Sequence, residues 1–311
     1  MRPPARVRRL AAGEIAATGP KRTVCDAHST ERLPGDAVRR EGEPAGGDAA
    51  VNEAYDGLGA TYTFYREAFH RNSIDGRGLP LDATVHYGSS YDNAFWNGDR
   101  MVFGDGDGDV FQRFTLSVSV IGHELTHGVT QYSANLDYRG QSGALNEHVS
   151  DVFGALVEQF RLGQSADRAT WLIGAGLFTP KIKGTALRSM KQPGDAYDDP
   201  VLGKDPQPAT MSGYVATDDD MGGVHLNCGI PNHAFYLAAS ELGGYAWERA
   251  GRIWYRTLTD AKLPSDVNFA GFAAATARTA ADIYGQGSAE HNAVQAAWRR
   301  VEVTPNGAAR A

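Results

Sequence analysis

The sequence predicts an α+β protein of two lobes, β-rich first and mainly α-helical second, and three observations predict it. Residues 26–117 carry alternating, aromatic-rich stretches, such as 60–65, 84–87 and 100–103, broken by Gly and Asp turns. From Ser117 onward the apolar spacing turns helical. With 311 residues and 42% hydrophobic content, the chain suits one two-lobed globular body with a sizeable core.

In chain order, the first segment stands apart. Arg2, Arg6, Arg8, Arg9, Lys21 and Arg22 accompany Pro3-Pro4 with little apolar periodicity, which reads as a disordered basic segment over 1–22 and a candidate shortened propeptide. It has no apolar stretch of the secretory-signal kind, and no run of 18 apolar residues occurs anywhere to span a membrane. Residues 23–137 are expected to form the β-rich lobe together with the first strong helix, and 138–311 the helical lobe. Within the first, Asp105-Gly106-Asp107-Gly108-Asp109 looks calcium-like but lacks the spacing and terminal Glu of an EF-hand loop, so a Gly-rich hairpin turn is expected. Within the second, helices are expected near 143–160, 231–242, 246–259, 267–284 and 288–301. Pro231 near the start of one and Gly243-Gly244 after it are sensible boundaries, and Ala234, Leu237, Ala238 and Leu242 form its apolar stripe. A net charge of −7 argues against nucleic acid as a partner. Cys25 and Cys228 are too few for a disulfide framework, and Cys228 is expected to be a small buried thiol.

The chemistry concentrates in His123-Glu124-Leu125-Thr126-His127. On a helix, residues at i and i+4 share one face, about 6 Å apart along the axis, so both imidazoles can reach one metal ion. Glu124 lies about 100° round the same helix, close enough to act on a water in an open coordination position. A catalytic zinc site needs a third protein ligand. The continuation with Gly at 130 and His at 133 is excluded, because Thr130 and Ser133 stand there. The other continuation uses a glutamate on a second helix, and the run 143–151 supplies Glu147. Asp151 follows it at i+4, on the same face, where it can accept from the free ring nitrogen of His123 and fix its tautomer. His148 points elsewhere on that helix and has no assigned role.

These motifs resemble the thermolysin-like neutral metalloendopeptidases, the M4 family of gluzincins, and the finer resemblance is to the protealysin-type subgroup with its short precursor. The similarity runs from about Asp26 to the C-terminus. It rests on Asn93-Ala94-Phe95-Trp96-Asn97-Gly98, the 101–108 block, the zinc helix, the 143–151 block, Arg188-Ser189-Met190, and Gly222-Gly223-Val224-His225. The resemblance implies a two-lobed protease with the zinc helix between a β-rich and a helical lobe. It implies His225 as second catalytic histidine, Asp220 as the group orienting it, and Tyr138 as a hydroxyl donor to the transition state. It also implies Asn93 and Ala94 as a clamp on the substrate backbone and Arg188 as a partner of a substrate carbonyl. By aligned position the primed-side pocket falls on Phe111, Phe114, Val120, Ile173, Leu177 and Leu187, all apolar, so Leu, Phe, Ile or Val is expected there. Zinc is the implied cofactor. A double calcium site is not expected, because only Glu158 is kept while Ser119, Thr170, Leu172 and Ala175 replace the other ligands.

The implied activity is zinc-dependent hydrolysis of internal peptide bonds in protein or peptide substrates by a monomer, with Glu124 as general base. Action outside the cell is implied too; no export route is visible, so cytoplasmic retention is the alternative. Two other readings compete. An inactive zincin serving as a binding protein would have lost a ligand or the base, yet His123, Glu124, His127, Glu147, Tyr138 and His225 are all present. A related aminopeptidase would carry Gly-x-Met-Glu-Asn, where this chain has Asn93-Ala94-Phe95-Trp96.

Overall fold

A computed structural model describes residues 19–304. Most of the expected basic segment lies outside the described residues. Its last residue does not: Arg22 opens β1 (Arg22–Asp26), where its Nε donates to Glu41 at 2.6 Å and its guanidinium lies 3.7 Å from the Tyr55 ring centroid. A buried aromatic face and a carboxylate thus draw that arginine into the fold.

Four further strands complete one sheet: β2 (Asp36–Arg40), β3 (Leu81–Val85), β4 (Ala94–Trp96) and β5 (Met101–Phe103), in the order β2-β1-β3-β5-β4. The three inner strands run parallel and the two edges antiparallel. Against the sheet packs α1 (Ala49–Phe69), and this corrects the extended assignment of 60–65. The alternation of Thr61, Tyr62, Thr63, Phe64 and Tyr65 is overruled by a longer pattern. Ala50, Ala54, Leu58, Thr61 and Tyr65 repeat every three or four residues and are all buried, and Asp48 caps the start by accepting from Ala50 N at 2.8 Å. The lobe therefore has a five-stranded sheet with a long helix laid on it. The Asp105–Asp109 run is a side-chain-closed loop rather than the expected hairpin turn, because β5 before it pairs with β4 and Phe111 after it bridges Phe178; Asp107 Oδ1 accepts from the backbone N–H groups of Asp109, Val110 and Phe111 at 2.9, 2.8 and 3.0 Å.

Seven more α-helices follow among the described residues: α2 (Val118–Gln131), α3 (Gly140–Leu162), α4 (Asp220–Asn227), α5 (Gly229–Leu242), α6 (Ala250–Asp260), α7 (Phe269–Tyr284) and α8 (Ala289–Arg300). Ser117, Asn268 and Ser288 cap α2, α7 and α8 through their side-chain oxygens. One helix starts later than expected, at Ala250 rather than 246, because Tyr245 stacks on Trp247 at 4.5 Å in the turn before it. Between the lobes, α2 crosses α3 where Gly122 and Gly154 bring the two backbones together beside Val157, and the apolar side chains of the two helices, Leu125, Val129, Leu145, Val149, Val152 and Phe153, are all fully buried. Each such side chain contributes about 1.5–3 kcal/mol by leaving water. On its other flank α2 meets β4, where the Trp96 indole donates to Gln131 Oε1 at 3.1 Å. Among the described residues no helix is long and apolar enough to cross a membrane.

Candidate active site

His123 and His127 project from α2 toward Glu147 on α3, and ligand atoms of the three lie within 4.8 Å of one another. Each imidazole is held from behind. His123 Nδ1 donates to Asp151 Oδ1 at 2.7 Å, and His127 Nδ1 donates to Asn146 Oδ1 at 2.9 Å. The donor direction follows from the partners. A carboxylate only accepts, and the Asn146 amide nitrogen is already given to Leu136 O at 3.2 Å, so its oxygen faces the ring. With both Nδ1 atoms protonated, both Nε2 atoms offer lone pairs, and they face each other at 3.1 Å. Glu147 Oε2 is buried with no hydrogen-bond partner, 3.4 Å from His123 Nε2. Two facing lone pairs and an orphaned carboxylate oxygen are a costly arrangement unless a cation joins them, and a N,N,O set suits zinc. The residues present therefore fit the ion.

Charge supports the same assignment. Burial opposes ionisation of Glu147, yet the His127 and His123 imidazoles hold its carboxyl well below the usual carboxylate range. Burial pulls the His123 imidazole down, but the Asp151 and Glu147 carboxylates outweigh it and carry it up to about 10. Asp151 loses solvation too, and Arg188 and His123 hold it ionised well below its ordinary value. Without a metal the extra proton of His123 sits on Nε2, between the facing nitrogens, in the place a divalent cation would take.

A cavity of about 540 Å³ opens over this centre, and its wall includes Asn93, Ala94, Glu124, Tyr138 and His225. Glu124 Oε2 accepts from Trp96 N at 3.1 Å, so the edge strand β4 holds a carboxylate that lines the cavity. Tyr138 Oη donates to Glu147 Oε1 at 2.5 Å and lies 3.3 Å from His225 Nε2. Burial and the Glu147 charge raise the Tyr138 phenol, so it stays protonated. His225 Nδ1 meets Asp220 Oδ1 at 2.6 Å, and His225 N donates to Asp220 Oδ2 at 2.8 Å. That grip needs a sharp bend, made by four consecutive left-handed residues, Asp220 to Gly223. A Cβ at Gly222 would come 3.0 Å from Gly140 N, which explains the glycine pair before the histidine. The buried Cys228 thiol, expected as a core group, donates to His225 O at 3.2 Å.

Two sets of expected substrate-binding residues lie outside the wall of this cavity. Arg188 does not line the cavity: its Nε and Nη2 form a two-point pair with Asp151 at 2.8 and 2.7 Å. A buried carboxylate with two free edges attracts a fork-shaped cation more strongly than a solvent-facing cleft does. Likewise Phe111, Phe114, Val120, Ile173, Leu177 and Leu187 are not in the wall of the open cavity. They form an apolar cluster beside the first turn of α2, where the Phe111 and Phe114 rings lie 5.5 Å apart and Ser119 Oγ accepts from Gly174 N at 3.1 Å. Four of them are at most 5% exposed because each covers the others; Phe111 and Leu187 keep some surface.

Sequence reasoning gave no role to Asn146, His148, Asn232 or Trp254. Asn146 stands next to Glu147 in the recognised block, which was its one visible signal. His148 is fully buried, and burial holds its imidazole down to about 4, so it is neutral. Its Nδ1 lies 2.8 Å from Asn232 Oδ1 and its Nε2 accepts from Trp254 Nε1 at 2.8 Å.

Comparison with known proteins agrees with this geometry. The thermolysin metallopeptidase catalytic-domain family matches residues 18–131, and the thermolysin metallopeptidase alpha-helical-domain family matches 134–303. An extracellular metalloprotease of Pectobacterium carotovorum subsp. carotovorum is 56% identical over 91% of this chain and 81% of its own length. Protease PrtS of Photorhabdus sp. (strain Az29) is 54% identical over 87% of this chain and 74% of its own. The solved precursor of protealysin, a metalloproteinase from Serratia proteamaculans, superposes with a TM-score of 0.90 at 56% identity, covering 96% of this chain and 91% of that one. With both lobes matched in order, the chain belongs to the thermolysin-like M4 metallopeptidases.

Proposed function

We propose that this chain is a zinc-dependent endopeptidase that cuts internal peptide bonds with a hydrophobic residue on the primed side. One observation carries it: two imidazole lone pairs and an unpartnered Glu147 oxygen converge under an open cleft that also presents Glu124, Tyr138 and His225. Zinc, when held by His123, His127 and Glu147, supplies Lewis acidity that polarises a carbonyl and lowers the pKa of water toward about 7.

The chain's own groups do the rest. Glu124, fixed at one oxygen by Trp96 N, takes the proton of the attacking water with the other and later passes it to the leaving amine. Tyr138 stays a phenol and turns its O–H from Glu147 to the developing oxyanion. His225, its ring oriented by Asp220, presents Nε2 to the same oxyanion. An extended substrate adds to the free edge of β4, with Asn93 and Ala94 as its polar partners. Arg188 acts through Asp151, and its unused Nη1 is the group left for a substrate carbonyl. The apolar cluster beside α2 takes the primed-side residue, entering past Phe111 and Leu187. We keep the lobe boundary at 137/138, a reading supported by the connection between α2 and α3. Calcium is left out: burial pushes the Glu158 carboxyl up, and its neighbour is the Ser119 hydroxyl rather than more carboxylates. The chain works as a monomer outside the cell.

The test is to incubate the purified chain with a denatured protein, with and without a zinc chelator, and map the new ends by mass spectrometry. Internal cuts before Leu, Phe, Ile or Val that vanish with chelator are expected, and an N-terminally blocked peptide should be cut too. Removal of single N-terminal residues, with the blocked peptide untouched, would instead identify an aminopeptidase.

A further inference from the structure

A buried chain of polar groups leads away from the metal centre into the helical lobe, and the reaction as described does not use it. It starts at Trp254 on α6, passes His148 on α3 and Asn232 on α5, and ends at Asp151 on α3. The contacts are 2.8 Å for Trp254 Nε1 to His148 Nε2, 2.8 Å for His148 Nδ1 to Asn232 Oδ1, and 2.8 Å for Asn232 Nδ2 to Asp151 Oδ2. All four residues are at most 1% exposed.

The two ends have one possible polarity each, and the middle follows. An indole N–H can only donate, so His148 Nε2 carries its lone pair and Nδ1 carries the proton. That proton requires Asn232 to present its oxygen, which turns the amide nitrogen toward Asp151. From the other end, an ionised carboxylate can only accept, which demands the same amide orientation. The imidazole and the amide, each able to point two ways, are therefore set the same way from both sides. Asp151 then receives four hydrogen bonds, from His123, from Arg188 twice and from Asn232, and its two oxygens have no slack. Since Asp151 Oδ1 holds the Nδ1 proton of His123, its position decides where the His123 Nε2 lone pair aims.

We propose that Trp254, His148 and Asn232 are positioning residues: a one-way hydrogen-bond relay that locks Asp151, and through it the tautomer and aim of His123, to the packing of α6. This rests on the assignment of His123 as a zinc ligand through Nε2. The Trp254 N–H is the polarity-setting group. Without it, only Asp151 opposes the state in which His148 carries its proton on Nε2, Nδ1 accepts, and Asn232 turns its oxygen against the carboxylate. That flipped state repels Asp151 and loosens the ligand.

The experiment uses the full-length chain, zinc-loaded and metal-free, with its histidines labelled for ring-nitrogen NMR. In the wild type His148 should be protonated at Nδ1, the reverse of the tautomer an imidazole prefers in water, and His123 Nε2 should shift on zinc addition. Trp254→Phe keeps an aromatic ring of similar shape and removes the donor. It should mix or reverse the His148 tautomer and weaken zinc about three- to tenfold in a chelator competition, less than the roughly 10–100-fold lost when a direct partner of a ligand is removed. His148→Phe should weaken zinc by a similar factor, and the double variant no further, because one break already opens the relay. Should a variant fold poorly, the wild-type tautomer still decides: His148 protonated at Nε2 overturns the relay. Zinc affinity within twofold of wild type in both single variants overturns it as well, whatever their melting temperatures. A wild-type His123 that does not respond to zinc would show that the ligand assignment failed, and not the relay.

Discussion

At the scale of single residues, Glu124 has the most exposed assignment. One carboxylate oxygen is taken by Trp96 N at 3.1 Å and the side chain lines the cleft, so a change of charge without a change of shape isolates its role as base. Glu124→Gln is expected to keep zinc at one ion per chain while peptide hydrolysis falls by about 10²–10⁴-fold, the usual contribution of a positioned general base. Metal content and turnover measured on one preparation check this, and full activity would remove Glu124 from that role. The ligands themselves were legible because their geometry is local: i and i+4 on α2, and i and i+4 on α3. His225 was legible through its glycine pair and the resemblance. The relay was not, since His148 meets Trp254 across 106 positions and Asp151 meets Asn232 across 81. No spacing rule spans such distances. Arg188 shows the same limit: its residue type was clear, but whether it faced a substrate or a buried carboxylate depended on how far Asp151 is withdrawn from water.

At the scale of elements, the zinc ligands need α2 and α3 at close range, and glycine makes that possible. Gly122 and Gly154 face each other, and a Cβ at Gly154 would stand 2.3 Å from Ser119 O and 3.0 Å from His123 N. Both near atoms are backbone of the zinc helix, so neither can rotate away. Gly154→Ala is therefore expected to push α3 from α2, at about 1–3 kcal/mol in stability. Because the shift falls one turn from Asp151, zinc affinity should drop with it. Urea unfolding and a zinc competition on the same variant check the pair of effects, and unchanged values in both would mean the crossing has more room than its geometry allows. The helical patterns behind these elements were readable to within a few residues, since apolar faces repeated over many turns. The error at 60–65 came from a window too short to separate two periods: five residues alternating Thr, Tyr and Phe fit a strand until the caps and the buried face of α1 from 49 to 69 are counted.

At the scale of the whole molecule, the metal joins an element of the β lobe to one of the α lobe, so its removal should be felt as stability of the entire chain. A ligand at about 100 times its Kd adds about 2.7 kcal/mol to the fold. For a chain of this size that is on the order of 5 °C in unfolding temperature. The effect has a pH sign. In the metal-free fold His123 is carried up to about 10 by Asp151 and Glu147 against the cost of burial. An imidazole of unfolded chain titrates near ~6.5. The raised value means that protonated His123 stabilises the metal-free fold fully below ~6.5, and that this contribution fades as pH climbs toward about 10. Zinc must displace the same proton, so its affinity should rise roughly tenfold per pH unit across that window. Both trends are one proton seen from two sides: the zinc-loaded fold holds its stability while the metal-free fold loses it, so the gap in unfolding temperature between zinc-loaded and chelator-treated protein should widen steadily from about pH 6.5 to 8.5. Calorimetry on Glu124→Gln, which cannot digest itself during the scan, measures it at fixed total zinc. A gap that stays constant across those pH values would mean no proton leaves His123 on loading. The facing lone pairs that define the centre would then need another explanation.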